Sequence, residues 1–223
     1  MRKFIKERLL KPEVRDGGKM IYLNPFTYLY FRRRFELLSD TTIIRFDGIL
    51  MSTLMKIFYS YPFGRNSFDF TSLADEYFRF WATNQRRIAI YGAADDDLHV
   101  FIDKLKKKYD LNIVDFYNGY QEIDWYERRV DSFSLDVVIL GLGPIKQEIV
   151  CNNLSVKTVI TCGAFITQTA DAKGLVYYPE SVKKLGLLWL YRTFREKGHY
   201  KRFLLHYPRF IYYYFKDYFY ERN

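Results

Sequence analysis

Residues 136–165 read DVVILGLGPIKQEIVCNNLSVKTVITCGAF, and this stretch decides the fold. Residues 137–140 form a short continuous apolar run, which is typical of a strand buried on both faces of a parallel sheet. The Gly-Leu-Gly-Pro segment that follows permits a tight turn and the start of a helix. A second apolar run, 158–161, also ends at a glycine. The stretch therefore predicts two strands that end at one edge of a sheet, where α/β proteins bind ligands.

The preceding chain repeats this alternation of strands and helices. Further strands are predicted at 20–23, 41–46, 87–91 and 111–116, and those of the deciding stretch extend to 134–140 and 157–162. Helical segments of ten or more residues separate most of them. For residues 1–175 we expect an α/β domain with a Rossmann-like, doubly wound, mostly parallel sheet.

Residues 176–223 have a different composition and predict a C-terminal helical appendage. A helical segment from Pro179 to about Lys197 is followed by a second one from Tyr200, which Pro208 is expected to kink or break. Eleven of the 41 Tyr and Phe residues lie between 200 and 220, and residues 175–223 contain ten Lys and Arg against four Asp and Glu. Basic, aromatic helices of this kind bind membrane surfaces, so the appendage is predicted to associate with a membrane.

Charge and cysteine content narrow the class of function. The net charge of +9 favours a polyanionic partner, either an anionic membrane surface or a nucleic acid. No signature of an RNA-binding fold occurs, which disfavours nucleic acid. Two cysteines predict no disulfide framework, and no Cys/His spacing fits zinc. With no signal-peptide core and no apolar span, we expect a cytoplasmic protein bound peripherally to the membrane.

Three segments in fixed order carry a family resemblance: residues 141–148, 163–165 and 188–192, which read GLGPIKQE, GAF and LWLYR. Their order and spacing, over roughly residues 20–203, resemble the TagA/WecG/CpsF glycosyltransferase family of bacteria, which builds cell-surface polymers. The resemblance implies an inverting enzyme that moves a sugar from a UDP-sugar to a saccharide on a polyprenyl diphosphate. N-acetylmannosamine is the sugar in the best-known relatives, and another hexose is the alternative. The membrane surface would then be the inner leaflet.

The predicted general base is Asp47, at the end of the second strand. Read alone, Asp47-Gly48 indicates a turn. The segment FDGI at 46–49 resembles the family's Asp-Gly motif, whose aspartate takes the proton of the acceptor hydroxyl. Asn24 resembles the family's sugar-binding asparagine, although Asn24-Pro25 alone indicates a helix cap.

The same resemblance implies a nucleotide pocket around Gly143, Gln147 and Glu148. The Gln147 amide can donate and accept hydrogen bonds, and it would read the uracil or the ribose. Read alone, the Lys-Gln-Glu segment at 146–148 indicates a solvated helix face.

Four arginines are predicted to neutralise the diphosphates of donor and acceptor: Arg65, Arg192, Arg195 and Arg202. Their planar guanidinium groups stay charged and bind two oxygens at once. Such groups stabilise the leaving UDP directly, so we expect no metal and no other cofactor. Residues 95–97, three aspartates, predict the start of a helix rather than a metal site.

Departures from the family pattern leave a second hypothesis open. Tyr22, Phe68, Thr167 and Leu188 stand where the family has threonine, glycine, aspartate and glutamate. A degenerate member that acts as a scaffold is therefore an alternative to an active transferase, and a nucleic-acid-binding protein is a weaker third one. Exposed helices also leave a homo-oligomer open.

Overall fold

A computed structural model describes residues 16–38, 42–61, 63–185, 187–195 and 199–220. For six of these residues only the backbone is described: Glu36, Trp189, Arg192, His199, Arg202 and Phe203. The strands are β1 Gly18–Leu23, β2 Thr42–Phe46, β3 Arg87–Gly92, β4 Asn112–Tyr117, β5 Val137–Gly141 and β6 Thr158–Thr161. The α-helices are α1 Pro25–Phe31, α2 Ile49–Tyr59, α3 Ala74–Thr83, α4 Asp95–Lys108, α5 Ile123–Asp131, α6 Lys146–Asn153, α7 Phe165–Asp171, α8 Glu180–Lys184, α9 Leu188–Arg195 and α10 His199–Tyr220. A short 3-10 helix, Phe35–Leu37, precedes β2.

The strands form one sheet in the order β2-β1-β6-β5-β3-β4, and neighbouring strands pair in parallel throughout. The predicted doubly wound α/β fold is therefore confirmed. The connections leave the sheet in opposite directions after β3, which leads to β4, and after its neighbour β5, which leads to β6. In open α/β sheets such a switch point leaves a crevice at the carboxyl ends of the strands, where ligands bind.

Helices cover both faces of the sheet, which explains the continuous apolar runs of the strands. On one face, Ile21 and Leu23 of β1 pack in a core with α1, α2, α5, α6 and α10. On the other face, Met20 and Tyr22 of the same strand pack with α3, α4 and α7. Successive residues of a strand thus enter opposite cores.

The central strands β3 and β5 approach each other very closely at their carboxyl ends. A Cβ atom on Gly92 would lie 2.7 Å from the Cα atom of Gly141. Gly92 also has a φ of 157°, which side chains disfavour. A Cβ on Gly141 would lie 2.9 Å from Ile166 Cδ1, so both positions favour glycine at this end of the crevice.

The C-terminal region is helical, as predicted, but its segments differ from the prediction. The first segment is divided into α8 and α9. The predicted break at Pro208 is wrong, because α10 continues through this residue. Pro208 has no N–H to donate to the Leu204 carbonyl, as a residue four positions later in a helix normally does. Leu204 is exposed, so water can bind this carbonyl instead. The boundary near residue 175 stays a prediction.

Helix α10 packs firmly on α1 and α2. The side chains of Phe210 and Tyr214 are fully buried, and the Tyr214 hydroxyl donates to the Leu54 carbonyl at 2.9 Å. The carboxylate of Asp217 accepts hydrogen bonds from the Tyr28 hydroxyl at 3.0 Å and from Arg32 Nε at 2.8 Å. One side of this helix is therefore part of the core around the sheet.

This packing predicts that Phe210→Ala lowers the free energy of unfolding by about 3 to 5 kcal/mol, because it leaves a cavity in the core. Phe219→Ala is the matched control, since Phe219 lies on the same helix and is 58% exposed. Urea unfolding followed by circular dichroism measures both. An equally small decrease in the free energy of unfolding for both variants would show that α10 does not stabilise the sheet.

Candidate active site

The parallel pairing of β1 and β2 places the first two candidate residues side by side. Leu23 lies opposite Phe46 in the register, and the Asp47 amide donates to the Leu23 carbonyl at 2.9 Å. Asn24 and Asp47 therefore leave neighbouring strands at the same edge of the sheet. Neighbouring strands lie about 4.8 Å apart, so one sugar can contact both side chains.

The two oxygens of the Asp47 carboxylate have different environments. Oδ1 accepts hydrogen bonds from the Gly48 amide at 2.8 Å and from Arg65 Nε at 3.2 Å. No donor among the described residues contacts Oδ2, and a quarter of the side chain is exposed. The arrangement leaves Oδ2 able to accept a proton from a bound molecule.

Arg65 is shared between Asp47 and a second carboxylate, Asp69. Arg65 Nη2 lies 2.9 Å from Asp69 Oδ2, and Nη1 donates to the Thr71 hydroxyl at 3.2 Å. Burial opposes ionisation of Asp69, but Arg65 and hydrogen bonds from Thr71 and Ser67 outweigh it and hold its pKa below the usual value. Sequence analysis missed Asp69, because residues 65–69 lie in a loop, where a spacing of four residues does not predict an ion pair as it does on a helix.

Asn24 is a helix cap, as its sequence read alone indicates. Its Oδ1 accepts hydrogen bonds from the amides of Phe26 at 2.9 Å and Thr27 at 3.1 Å, at the start of α1. No acceptor for Nδ2 occurs among the described residues. The cap thus holds the amide in place and leaves Nδ2 able to donate to a sugar hydroxyl, so the two interpretations are compatible.

The loop after β5 contains a strained residue next to an open glycine. Gly143 has a φ of 81°, and no atom lies within 4 Å of the place where a Cβ would be. Ile145 has a φ of 76° and a ψ of −55°, which is unfavourable for a β-branched residue. Its amide donates to Glu148 Oε2 at 2.6 Å. Backbone strain of this kind concentrates at functional sites.

Gln147 and Glu148 are both buried, and they connect the loops after β5 and β6. Gln147 Nε2 donates to Glu148 Oε1 at 2.9 Å, and Gln147 Oε1 accepts from the Gly163 amide at 3.1 Å. Burial raises the pKa of Glu148 to about 7, since its donors are neutral groups. One hydrogen and one lone pair of the Gln147 amide have no partner among the described residues.

Lys146 was not singled out in the sequence, yet it joins two loops of this edge. Its ammonium group donates to the carbonyls of Gly119, at 3.0 Å, and Gln121. These residues follow β4, so Lys146 holds the β4 loop against the start of α6. Carbonyl capping by a lysine gives no local sequence signal, because the partner loop lies far away in the chain.

Of the three C-terminal arginines predicted to bind the diphosphates, Arg195 has a described side chain, and it contacts two tyrosines. Arg195 Cζ lies 5.8 Å from the ring centres of Tyr177 and Tyr191. The Tyr191 ring packs on that of the buried Tyr178, with ring centres 5.9 Å apart. Helix α9 therefore borders residues 177–178, which line a cavity together with Asp69 and Thr71. Arg192 and Arg202 lie on α9 and α10, and their side chains are outside the described part of the structure.

Two departures from the family pattern are core residues. Phe68 is buried and packs on Trp81 and Phe165, with ring centres 6.0 and 5.6 Å away. Tyr22 is buried, and its hydroxyl lies 3.5 Å from Arg45 Nη1. Thr167 and Leu188 are partly exposed. Tyr22 and Phe68 are thus part of the core on the face of the sheet that α3, α4 and α7 cover.

Two properties of the whole chain bear on the site. Within the described ranges, no group of three or more His, Cys, Asp or Glu side chains is arranged to hold a metal ion. No helix in these ranges is both long and apolar enough to cross a bilayer.

The raised pKa of Glu148 predicts a pH-dependent stability. An unfolded glutamate titrates near 4.5, so the folded protein keeps this proton to higher pH. The stability that results is fully present below pH 4.5 and is lost as the pH rises through 7. Between pH 5 and pH 8 the free energy of unfolding of the native chain should fall by about 2 kcal/mol more than that of Glu148→Gln.

Urea unfolding at the two pH values measures this difference. Glu76→Gln, which replaces an exposed glutamate on α3, is the control and should change with pH as the native chain does. An equal loss in all three proteins would contradict the pKa of Glu148.

Comparisons with known proteins identify the family of this chain. The model of the glycosyl transferase WecG/TagA/CpsF family matches residues 3–223. A Shigella boydii protein named UDP-Gal:alpha-D-GlcNAc-diphosphoundecaprenol beta-1,4-galactosyltransferase is 31% identical over 208 residues, covering 90% of this chain and 86% of that protein. The expected family is confirmed: the chain belongs to the WecG/TagA/CpsF family and is a glycosyltransferase.

Proposed function

We propose that this glycosyltransferase moves a hexose from a UDP-sugar to a saccharide carried on a polyprenyl diphosphate, with inversion at the anomeric carbon. The observation that carries the proposal is the carboxylate of Asp47, whose Oδ2 is open at the carboxyl edge beside Asn24. The name of the Shigella relative makes UDP-galactose the first donor to test and GlcNAc-diphosphoundecaprenol the first acceptor.

In this mechanism the acceptor hydroxyl attacks the anomeric carbon from the face opposite UDP. A new C–O bond forms as the bond between the sugar and the β-phosphate oxygen breaks. Asp47 Oδ2 takes the hydroxyl proton, and UDP leaves with the bonding electrons. A single displacement of this kind inverts the configuration, and one positioned carboxylate is sufficient for it. Asn24 Nδ2 would orient the sugar that lies beside Asp47.

The nucleotide is assigned to the crevice between β3 and β5. The open space in front of Gly143 lets a ligand approach the backbone, and Gln147 keeps hydrogen-bonding capacity. Arg195, together with Arg192 and Arg202, would neutralise the diphosphate as UDP leaves. We propose that these cations supply the charge that a metal supplies in other transferases, and that the reaction needs no cofactor.

Helix α10 is the proposed contact with the inner leaflet. Its outer side exposes Leu204, Leu205, Ile211, Tyr212 and Phe219 together with Lys201, Arg209 and Lys216. Apolar and aromatic side chains between basic ones suit the boundary of an anionic bilayer. A lipid-linked acceptor lies at the surface of the bilayer, so the enzyme must bind there to reach it.

The test of function is UDP release from a panel of UDP-sugars with GlcNAc-diphosphoundecaprenol. We expect acceptor-dependent release that Asp47→Asn lowers by about 10²-fold or more, since the base is lost. Asp171→Asn, at the exposed end of α7, is the control and should keep native activity. EDTA should leave the rate unchanged. UDP binding with no turnover on any donor would favour the scaffold hypothesis instead.

The membrane proposal predicts binding to vesicles that contain anionic lipid, weakened by salt because the Debye length shortens. Replacing Leu204 and Leu205 together by Glu should weaken cosedimentation about tenfold or more, since two apolar side chains no longer enter the bilayer. Val100→Glu, at an exposed position of α4, is the control. Equal binding by both variants would exclude α10 as the contact.

A further inference from the structure

We propose that Asp69 is a positioning residue for this reaction: it holds Arg65 against Oδ1 of Asp47 and so presents Oδ2 to the acceptor hydroxyl. The inference rests on the proposed function, in which Asp47 is the base. It gives Arg65 a different role from the one predicted from the sequence, where it neutralises a diphosphate.

The contacts of Asp69 leave no place for a substrate. Its Oδ2 accepts from the Ser67 hydroxyl at 2.8 Å and from Arg65 Nη2 at 2.9 Å. Its Oδ1 accepts from the Thr71 amide at 2.7 Å and from the Thr71 hydroxyl. The residue is buried, and four donors occupy its two oxygens. Asp69 therefore acts on the reaction only through the groups it holds.

Arg65 uses all three of its nitrogens within the protein. Nη2 binds Asp69, Nη1 binds the Thr71 hydroxyl, and Nε binds Asp47. A guanidinium group is planar and rigid, so fixing its Nη atoms also fixes the direction of Nε. The position of Asp47 Oδ1 is thereby determined from two sides, by Arg65 and by the Gly48 amide.

The local charge argues against a diphosphate at Arg65. Two carboxylates surround one guanidinium, which gives the cluster a net charge of −1 when both are ionised. A diphosphate that approached Arg65 would be repelled by this excess of negative charge. The cluster suits a neutral hydroxyl that gives up a proton.

The backbone of the Arg65 loop is anchored to the strand that carries Asp47. The Asn66 amide donates to the Phe46 carbonyl at 3.1 Å, and Asn66 Nδ2 donates to the Tyr61 hydroxyl at 3.1 Å. Arg65 is the neighbour of Asn66 in the chain, and Asp47 is the neighbour of Phe46. The loop and the strand end thus form one unit, in which Asp69 sets the direction of the arginine.

The first test compares Asp69→Asn with the native chain in the UDP-release assay. We expect kcat to fall about 10- to 100-fold, because the base is misplaced, while the Kd for UDP stays the same. Asp75→Asn is the matched control, since Asp75 pairs with Arg79 and Lys108 away from this cluster. Native kcat in Asp69→Asn, or an equal fall in both variants, would overturn the inference.

A second variant tests the path through Arg65, and its own kcat and Kd decide the inference even where Asp69→Asn does not fold. Arg65→Lys keeps the positive charge but cannot bridge both carboxylates. We expect a lower kcat with an unchanged Kd for UDP, and no further loss when Asp69→Asn is added to it. A weaker Kd for UDP at native kcat would make Arg65 a diphosphate ligand and overturn the inference. A native chain without any transfer activity would overturn the proposed function itself.

Discussion

The site depends on the parallel pairing of the strands. Backbone hydrogen bonds between parallel strands bring all their carboxyl ends to one edge, so Asp47, Gly143 and Gly163 meet there although they lie far apart in the chain. The pairing of β1 with β2 sets Asp47 beside Asn24. The contact of two glycines, Gly92 and Gly141, brings β3 and β5 close together at the crevice between these strands. Side chains supply the chemistry, and the backbone decides which of them are neighbours.

The surroundings of two buried carboxylates at this edge shift their pKa values in opposite directions. Asp69 has a guanidinium and three neutral donors, and it stays ionised although it is buried. Glu148 has only neutral donors, so burial dominates and raises its pKa to about 7. Desolvation raises the pKa of both carboxylates, and the presence or absence of a neighbouring cation decides the net direction of the shift. The first carboxylate can hold an arginine by charge, whereas the second connects loops by hydrogen bonds.

Helix α10 links the proposed membrane surface to the site. Its inner side enters the core through Phe210 and Tyr214, and Asp217 binds Arg32 just after α1. Helix α1 is capped by Asn24, which lies beside Asp47. The helix that exposes apolar side chains is therefore packed on the helix that starts at the candidate site. A lipid-bound acceptor and the residues proposed to act on it would then share one rigid frame.

The sequence by itself determined the α/β class, the parallel sheet and the family, because continuous apolar runs identify strands buried on both faces and motif spacing is a local property. It also placed Asp47, Asn24 and Gln147 at strand or helix ends. Only the tertiary structure decided the strand order, the path of α10 through Pro208, and the pairing of Arg65 with both Asp47 and Asp69. It also decided that Glu148 is buried. These features depend on contacts between segments distant in the chain, and the burial and charge that such contacts create leave no periodic signal in the sequence.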